Sequence, residues 1–146
     1  MTIFIGADHN GWQLKEKIKL ALQKQRHKVS DQGNLSFQAT DDYPDFAKKV
    51  ALMIKKNKNS VGILLCGSGQ GMCMAINRFA HIRAVVAHSK SAIKAARQDE
   101  DVNVICLPAK ELNLKKSQEL IKVFFETPFS KLPRHQKRIK KLSSLK

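Results

Sequence analysis

No stretch of this chain stays apolar for the roughly 20 residues that a membrane span needs, so a membrane protein is not expected. Glycine and proline are sparse, at 7 and 4 among 146 residues. Nothing resembles a linker, a low-complexity tract or an internal repeat. That leaves one domain over residues 1–146, long enough to bury most of an α/β core. Cysteine is limited to Cys66, Cys73 and Cys106, an odd count with neither metal-ligand spacing nor a paired framework. No metal site is expected, and the pattern fits a reducing cytoplasm. The N-terminus enters a strand-like segment at once, with no charged leader or cleavage site ahead of it, so secretion is not expected either. Negative charge is scarce: 12 Asp and Glu stand against 27 Lys and Arg, a formal net charge of +15. Solvated helix faces, an anionic substrate or nucleic acid would each account for that excess. Basic patches that bind single strands interleave aromatic stacking residues. The basic stretch Lys137 to Lys146 has none, and nucleic acid is not the expected partner.

What is present is an alternation of short apolar runs and amphipathic ones. Thr2 to Ala7 is a β-prone, buried-type strand. After the polar break Asp8-His9-Asn10-Gly11, Trp12 to Gln25 places Leu14, Ile18, Ala21 and Leu22 at helical spacing, with lysines on the other face. His27 to Asp31 is a modest second strand. A loop runs to Tyr43-Pro44, where the proline suits the start of a helix carrying Phe46, Val50, Leu52, Met53 and Ile54. Val61 to Leu65 is the clearest strand, followed by a helix from Met72 to Phe79. Then come strand Arg83 to Ala87, helix Ser89 to Arg97, strand Asn103 to Leu107, helix Ser117 to Phe125 and a basic C-terminal helix. This alternation predicts a doubly wound (Rossmann-like) α/β fold: a five-stranded parallel sheet with helices on both faces. In such sheets ligands bind beyond the carboxyl ends of the strands, where the strand order reverses. For the order 2-1-3-4-5, the reversal falls between the first and third strands, so Asp8-His9 and Cys66–Gly71 would face each other.

The loop from Cys66 to Gly71 has glycine at 67, 69 and 71. Alternate glycines let the backbone turn tightly and aim successive N–H groups at one point, and the following helix adds its positive end. An anion, or an oxygen that becomes negative during reaction, is stabilised there. The motif is neither a P-loop nor a dinucleotide fingerprint. Free cysteines are mostly small buried hydrophobes, the role expected of Cys73 and Cys106. Cys66 differs because it opens the loop, among amides that favour a thiolate. Ser68 stands within plausible reach of its sulfur. Asp8 and His9 form the opposite wall. In the last segment Arg134 and Arg138 are four apart, on one helical face, and two guanidiniums can grip a phosphate.

Together these residues carry a resemblance. The stretches Gly6-Ala-Asp-His9, Thr40-Asp-Asp-Tyr-Pro44, Gly62-Ile-Leu-Leu-Cys-Gly-Ser-Gly-Gln-Gly71, Ala75-Ile-Asn-Arg-Phe-Ala80, Ile82-Arg-Ala84, Ala96-Arg-Gln98, Asn103-Val104 and Arg134-His-Gln-Lys-Arg138 cover nearly the whole length. In this order they resemble the ribose-5-phosphate isomerase type B family, akin to the galactose-6-phosphate isomerase subunits. The resemblance implies an aldose–ketose isomerase acting on a sugar phosphate, foremost ribose 5-phosphate, with a hexose phosphate as the alternative. It implies that Cys66 moves the C2 proton to C1 through a cis-enediolate, with the amides of Gly67, Gly69 and Gly71 stabilising the oxyanion. His9, Arg134 and Arg138 would hold the phosphate, helped by Lys110 where relatives often carry arginine. Tyr43 and Asp8 would position the sugar hydroxyls. It implies no metal or cofactor, and a homodimer or homotetramer whose site borrows residues from a second subunit.

One departure stands out. The family's Ala-Arg-Gln-His-Asn reads Ala96-Arg97-Gln98-Asp99-Glu100 here, so the ring-opening histidine is Asp99. Histidine accepts and donates protons near neutrality, whereas a carboxyl with an ordinary pKa of about 3.9 is a poor donor there. A non-catalytic subunit that keeps the fold is therefore the competing expectation.

Overall fold

A computed structural model describes residues 1–145; Lys146, the last residue of the basic segment, lies outside them. Five strands form one parallel sheet: β1 (Thr2–Ala7), β2 (Lys28–Asp31), β3 (Ser60–Cys66), β4 (Ala84–Val86) and β5 (Val104–Pro108). Six helices connect and flank them: α1 (Trp12–Lys24), α2 (Tyr43–Lys56), α3 (Gln70–Ile76), α4 (Lys90–Glu100), α5 (Leu114–Glu126) and α6 (Pro133–Ser143). Among the described residues no helix is long and apolar enough to cross a membrane.

The strand order is β2-β1-β3-β5-β4, which corrects the sequence expectation at one edge. β5 lies inside and β4 outside. Composition explains the exchange: Val104–Pro108 is buried throughout, as an inner parallel strand must be, whereas the three residues of β4 are only half-buried. Connection handedness then assigns the helices. Right-handed crossovers that move toward β4 put α2 and α3 on one face, and those that move back put α1 and α4 on the other. The two cores obey this rule. Phe46, Val50, Met72 and Ile76 pack on Phe4, Leu64 and Cys106. On the opposite face Leu14, Ile18, Ile93, Leu120 and Phe124 pack on Ile3, Ile5, Ile63 and Ile105. Each such side chain fully buried contributes about 1.5–3 kcal/mol.

One lysine contradicts its predicted place on the solvent face of α1. Lys15 is completely buried, and its Nζ donates to Asp31 Oδ2 at 2.7 Å and to the Asn34 carbonyl at 3.0 Å. Its aliphatic stem crosses the core edge while the ammonium meets fixed acceptors. Lys19 donates to the same carboxylate at 2.8 Å. Burial alone would raise the Asp31 pKa, but the bonds from Lys15 and Lys19, with the Gly33 N–H, hold it below the ordinary value.

Candidate active site

Parallel pairing puts the ends of β1 and β3 level. Ala7 pairs with Leu65, and the Asp8 N–H continues the ladder to the Leu65 carbonyl at 3.2 Å. Asp8 and Cys66 therefore stand side by side, about 5 Å apart at Cα by the usual strand spacing. Gly11 is what lets α1 begin so close to β3: a β-carbon there would meet the Leu65 carbonyl oxygen at 2.7 Å. Asp8 does not cap α1. Its Oδ1 accepts the Gly11 N–H at 3.1 Å in a local turn, and burial raises its pKa against the pull of that bond and of His9.

At the end of β3 the chain turns through Gly69, whose φ of +75° is a left-handed conformation that glycine adopts without strain. The turn brings the Gly69 N–H back to the Cys66 sulfur at 3.2 Å. Ser68, the expected partner of that sulfur, instead accepts the Gln70 N–H at 3.3 Å. Tyr43, at the start of α2, lays its ring within about 3.0–3.2 Å of where a Gly71 side chain would begin. Lys110 is fastened to the same loop, its N–H donating to the Gly67 carbonyl at 3.0 Å, and its stem passes over Gly67. Cys66, Gly67, Ser68, Gly69, Gly71, Asp8, His9, Tyr43 and Lys110 thus share one edge of the sheet. By contrast Cys106 is fully buried, which pushes its thiol pKa up, and the Cys73 sulfur donates to the Ala84 carbonyl at 3.4 Å.

Arg134, Arg138 and Asp99 are not at that edge. α4 leaves the carboxyl end of β4 and runs back for 11 residues, about 16 Å. Asp99 is in its last turn, at the opposite edge of the sheet. There Arg83 donates to the Glu100 carbonyl at 2.8 Å and the Asp101 carbonyl at 2.7 Å, supplying charge to the negative end of α4. α6 starts beside it: the Ser130 N–H donates to the Gln98 carbonyl, and Asp99 Oδ1 lies 3.6 Å from Nδ1 of buried His135. His135 Nε2 accepts from Arg134 Nε at 3.0 Å, which leaves the guanidinium's outer nitrogens facing solvent. In a single chain the two groups of candidate residues therefore stand at opposite edges of the sheet. Other surface grooves exist, such as one of about 610 Å³ between α1 and α5, but its lining includes none of these residues.

Comparison along the whole chain shows the family. The family model described as Ribose/Galactose Isomerase matches residues 3–142. The chain belongs to that family. A probable ribose-5-phosphate isomerase B of Mycoplasma genitalium is 39% identical over 142 residues, covering 97% of this chain and 93% of the relative. The Escherichia coli ribose-5-phosphate isomerase B is 33% identical, covering 98% and 95%. Among solved structures, a Thermotoga maritima ribose 5-phosphate isomerase superposes with a TM-score of 0.94 at 37% identity, covering 99% and 98%. The Mycoplasma genitalium enzyme with bound ribulose-5-phosphate gives 0.91 at 38%, covering 97% and 93%.

Two residues beside the site escaped the sequence reading. Asp41 accepts both the His9 N–H, at 2.8 Å, and a bond from the His9 ring at Nδ1, at 2.9 Å. Asn10 Nδ2 lies 2.9 Å from the other ring nitrogen, Nε2. Asp41 falls in an aperiodic loop. Its only signal was its place in the Thr40–Pro44 stretch of the resemblance.

Proposed function

We propose that this family member interconverts ribose 5-phosphate and ribulose 5-phosphate. The observation that carries the reading is the Cys66 sulfur under the Gly69 amide, at a strand end beside Asp8. A thiolate there removes the C2 proton of the open-chain aldose, giving a cis-enediolate. The same sulfur returns that proton to C1, while the hydroxyl proton passes from O2 to O1. Amides of the Gly67–Gly71 loop stabilise the oxyanion, a contribution typically of about 3 kcal/mol per donor. Asp8 and Tyr43 orient the sugar, and no step calls on a metal or cofactor.

The phosphate is held by His9 and Lys110 from one chain and by Arg134 and Arg138 from a second. Two opposite half-sites in one chain suit an isologous dimer, in which each edge of one copy faces the other edge of its partner and two whole sites form. Exposed apolar side chains lie on both: Met74, 66% exposed, in α3 after the cysteine loop, and Leu132, 43% exposed, before Arg134. Covering them on assembly is favourable. Asp99 then takes the ring-opening position beside His135, and the positive charge of the Arg134 guanidinium, bound to that ring, offsets its repulsion of a phosphate.

The test is initial rates on a panel of ribose 5-phosphate, ribulose 5-phosphate, galactose 6-phosphate and glucose 6-phosphate. The reading expects kcat/KM at least tenfold higher on the pentose phosphates. A preference for a hexose phosphate would move the assignment within the family, and inactivity on all four would favour the non-catalytic subunit.

A further inference from the structure

We propose that Asp41 is a positioning residue that fixes His9 in the tautomer and charge state able to grip a phosphate oxygen. The proposal rests on the reading of His9 as a phosphate ligand and adds the device that makes it one. A single carboxylate oxygen, Asp41 Oδ1, takes both the backbone N–H and the ring Nδ1 of His9. A side chain bound through its backbone and its ring to one atom has little freedom to rotate. Because Nδ1–H points at the carboxylate, the outward nitrogen Nε2 becomes the one that faces ligand. That nitrogen now rests against the amide of Asn10, which can present either its NH₂ or its oxygen as Nε2 loses or gains a proton. The carboxylate is more than nine-tenths buried, while the histidine side chain is 34% exposed, so the anchor is fixed and the ring reaches solvent.

The loop that carries Asp41 is itself tied to the core. Asn34 Nδ2 donates to Asp41 Oδ2 at 3.0 Å, and the Asn34 carbonyl accepts from buried Lys15 at 3.0 Å and from the Trp12 indole at 3.2 Å. The Gly33 N–H donates to Asp31 at 2.9 Å. An unbroken run of polar contacts therefore joins the buried Lys15–Asp31 pair to His9. The lysine and the loop polar groups unrelated to catalysis acquire a purpose: they hold one oxygen still. Phosphate contacts from Arg134 and Arg138 arrive on a partner chain, so a rigid contact on this chain is what sets where the phosphate lies relative to Cys66.

The charged groups acting on His9 are Asp8 in its own turn and Asp41 from the loop; the Lys110 stem and the Asn10 side chain both lie close to Gly67. The Asp41 hydrogen bond raises the His9 pKa above its ordinary 6.5 against the opposing effect of desolvation, and the Asp8 and Asp41 charges add to the rise. Cationic imidazole is the form that attracts a phosphate dianion.

Asp41→Asn tests this without deleting a hydrogen-bond acceptor, since the amide oxygen still takes both His9 bonds and Asn34 can turn its own oxygen to the new NH₂. A neighbouring carboxylate raises a histidine pKa by favouring its charged form. Losing the charge of Asp41 lowers the cationic fraction of His9 most above its ordinary pKa. The ring resonances of His9, followed by NMR, should titrate at a lower pH in Asp41→Asn than in the wild type. The KM for ribose 5-phosphate and the Ki of inorganic phosphate should rise about three- to tenfold at pH 8 and little at pH 6, with kcat nearly unchanged. His9→Ala serves as the reference and should raise both constants at either pH. If His9→Ala raises them and Asp41→Asn matches wild type at both pH values, the positioning role falls while the phosphate reading stands. If His9→Ala leaves phosphate inhibition unchanged, His9 is no phosphate ligand and both fall. An equal loss of kcat at both pH values in Asp41→Asn would mark a merely structural residue and would also overturn the proposal.

Discussion

The separation of Cys66 from Arg134 and Arg138 makes a quantitative prediction about mixtures of two inactive proteins. Take Cys66→Ala as one partner and the double variant Arg134→Ala/Arg138→Ala as the other. The first lacks the proposed base. The second lacks two charge-assisted phosphate contacts, each worth about 1.5–3 kcal/mol, so its kcat/KM should fall more than about 100-fold. When a site takes one edge from each chain, a mixed dimer contains one site with both lesions and one site with none. Random reassociation pairs an intact cysteine edge with an intact arginine edge in about one site of four, in dimers and in tetramers built from them alike. Equimolar co-refolding should therefore restore about a quarter of wild-type kcat/KM, and a doubly tagged heterodimer about half. The assay is ribulose 5-phosphate formation at substrate concentrations well below KM. Activity no greater than the mean of the two parents would refute the shared site.

The remaining predictions concern single groups. Alanine at Arg134 or Arg138 alone should raise KM for the sugar phosphate and weaken competitive inhibition by inorganic phosphate, with kcat changed less; inhibition constants equal to wild type would remove α6 from the site. Asp99→His with Glu100→Asn should speed turnover of the cyclic aldose more than of ribulose 5-phosphate, which forms no furanose ring, and a variant that speeds neither direction would show that Asp99 is not the limiting group. Lys15→Met removes the ammonium's bonds to Asp31 and to the Asn34 carbonyl, leaving Lys19 on the first and the Trp12 indole on the second, so it should cost about 2 kcal/mol and lower Tm by about 4–8 °C; an unchanged melt would contradict the assigned role of the buried ammonium. Because the Asp31 pKa is depressed in the fold, its stabilisation is complete above the unfolded value near 3.8 and disappears as pH falls through the lower folded value. Lys15→Met should accordingly narrow the gap in stability between pH 6 and pH 3, read by thermal melts at both.

Most of the fold was legible because its signals are local. Leu14, Ile18 and Leu22 repeat at helical spacing, and Val61 to Leu65 is a run that only a buried strand explains. α5 begins three residues earlier than its apolar pattern suggested because Asn113 caps it, accepting the Lys116 N–H at 2.9 Å. Strand order was less accessible, since the places of β4 and β5 depend on which strand needs burial on both faces. Periodicity also assigned Lys15 to solvent, for a pattern of residue types does not register an acceptor 16 residues away. The cysteine loop and its neighbour Asp8 could be read from the turn chemistry at two strand ends. The separation of Asp99 from Cys66 had a signal of its own: Cys66 closes a strand whereas Asp99 lies in the last turn of a helix, and in a doubly wound sheet those ends lie on opposite edges. Asp41 had none of this, because the 32–42 loop repeats nothing and its position is set by tethers to Lys15, Trp12 and His9.

The central claim, that Cys66 moves the C2 proton of a pentose phosphate, is open to direct measurement. Ribose 5-phosphate incubated with the protein in D₂O can be followed by ¹H NMR for loss of the C2 proton signal, alongside formation of ribulose 5-phosphate. The account predicts both with the wild-type protein, retention of both in Cys73→Ala and Cys106→Ala, and loss of both in a folded Cys66→Ala variant. Loss of the C2 proton signal that persists in Cys66→Ala, or that is absent from the wild type, would contradict it.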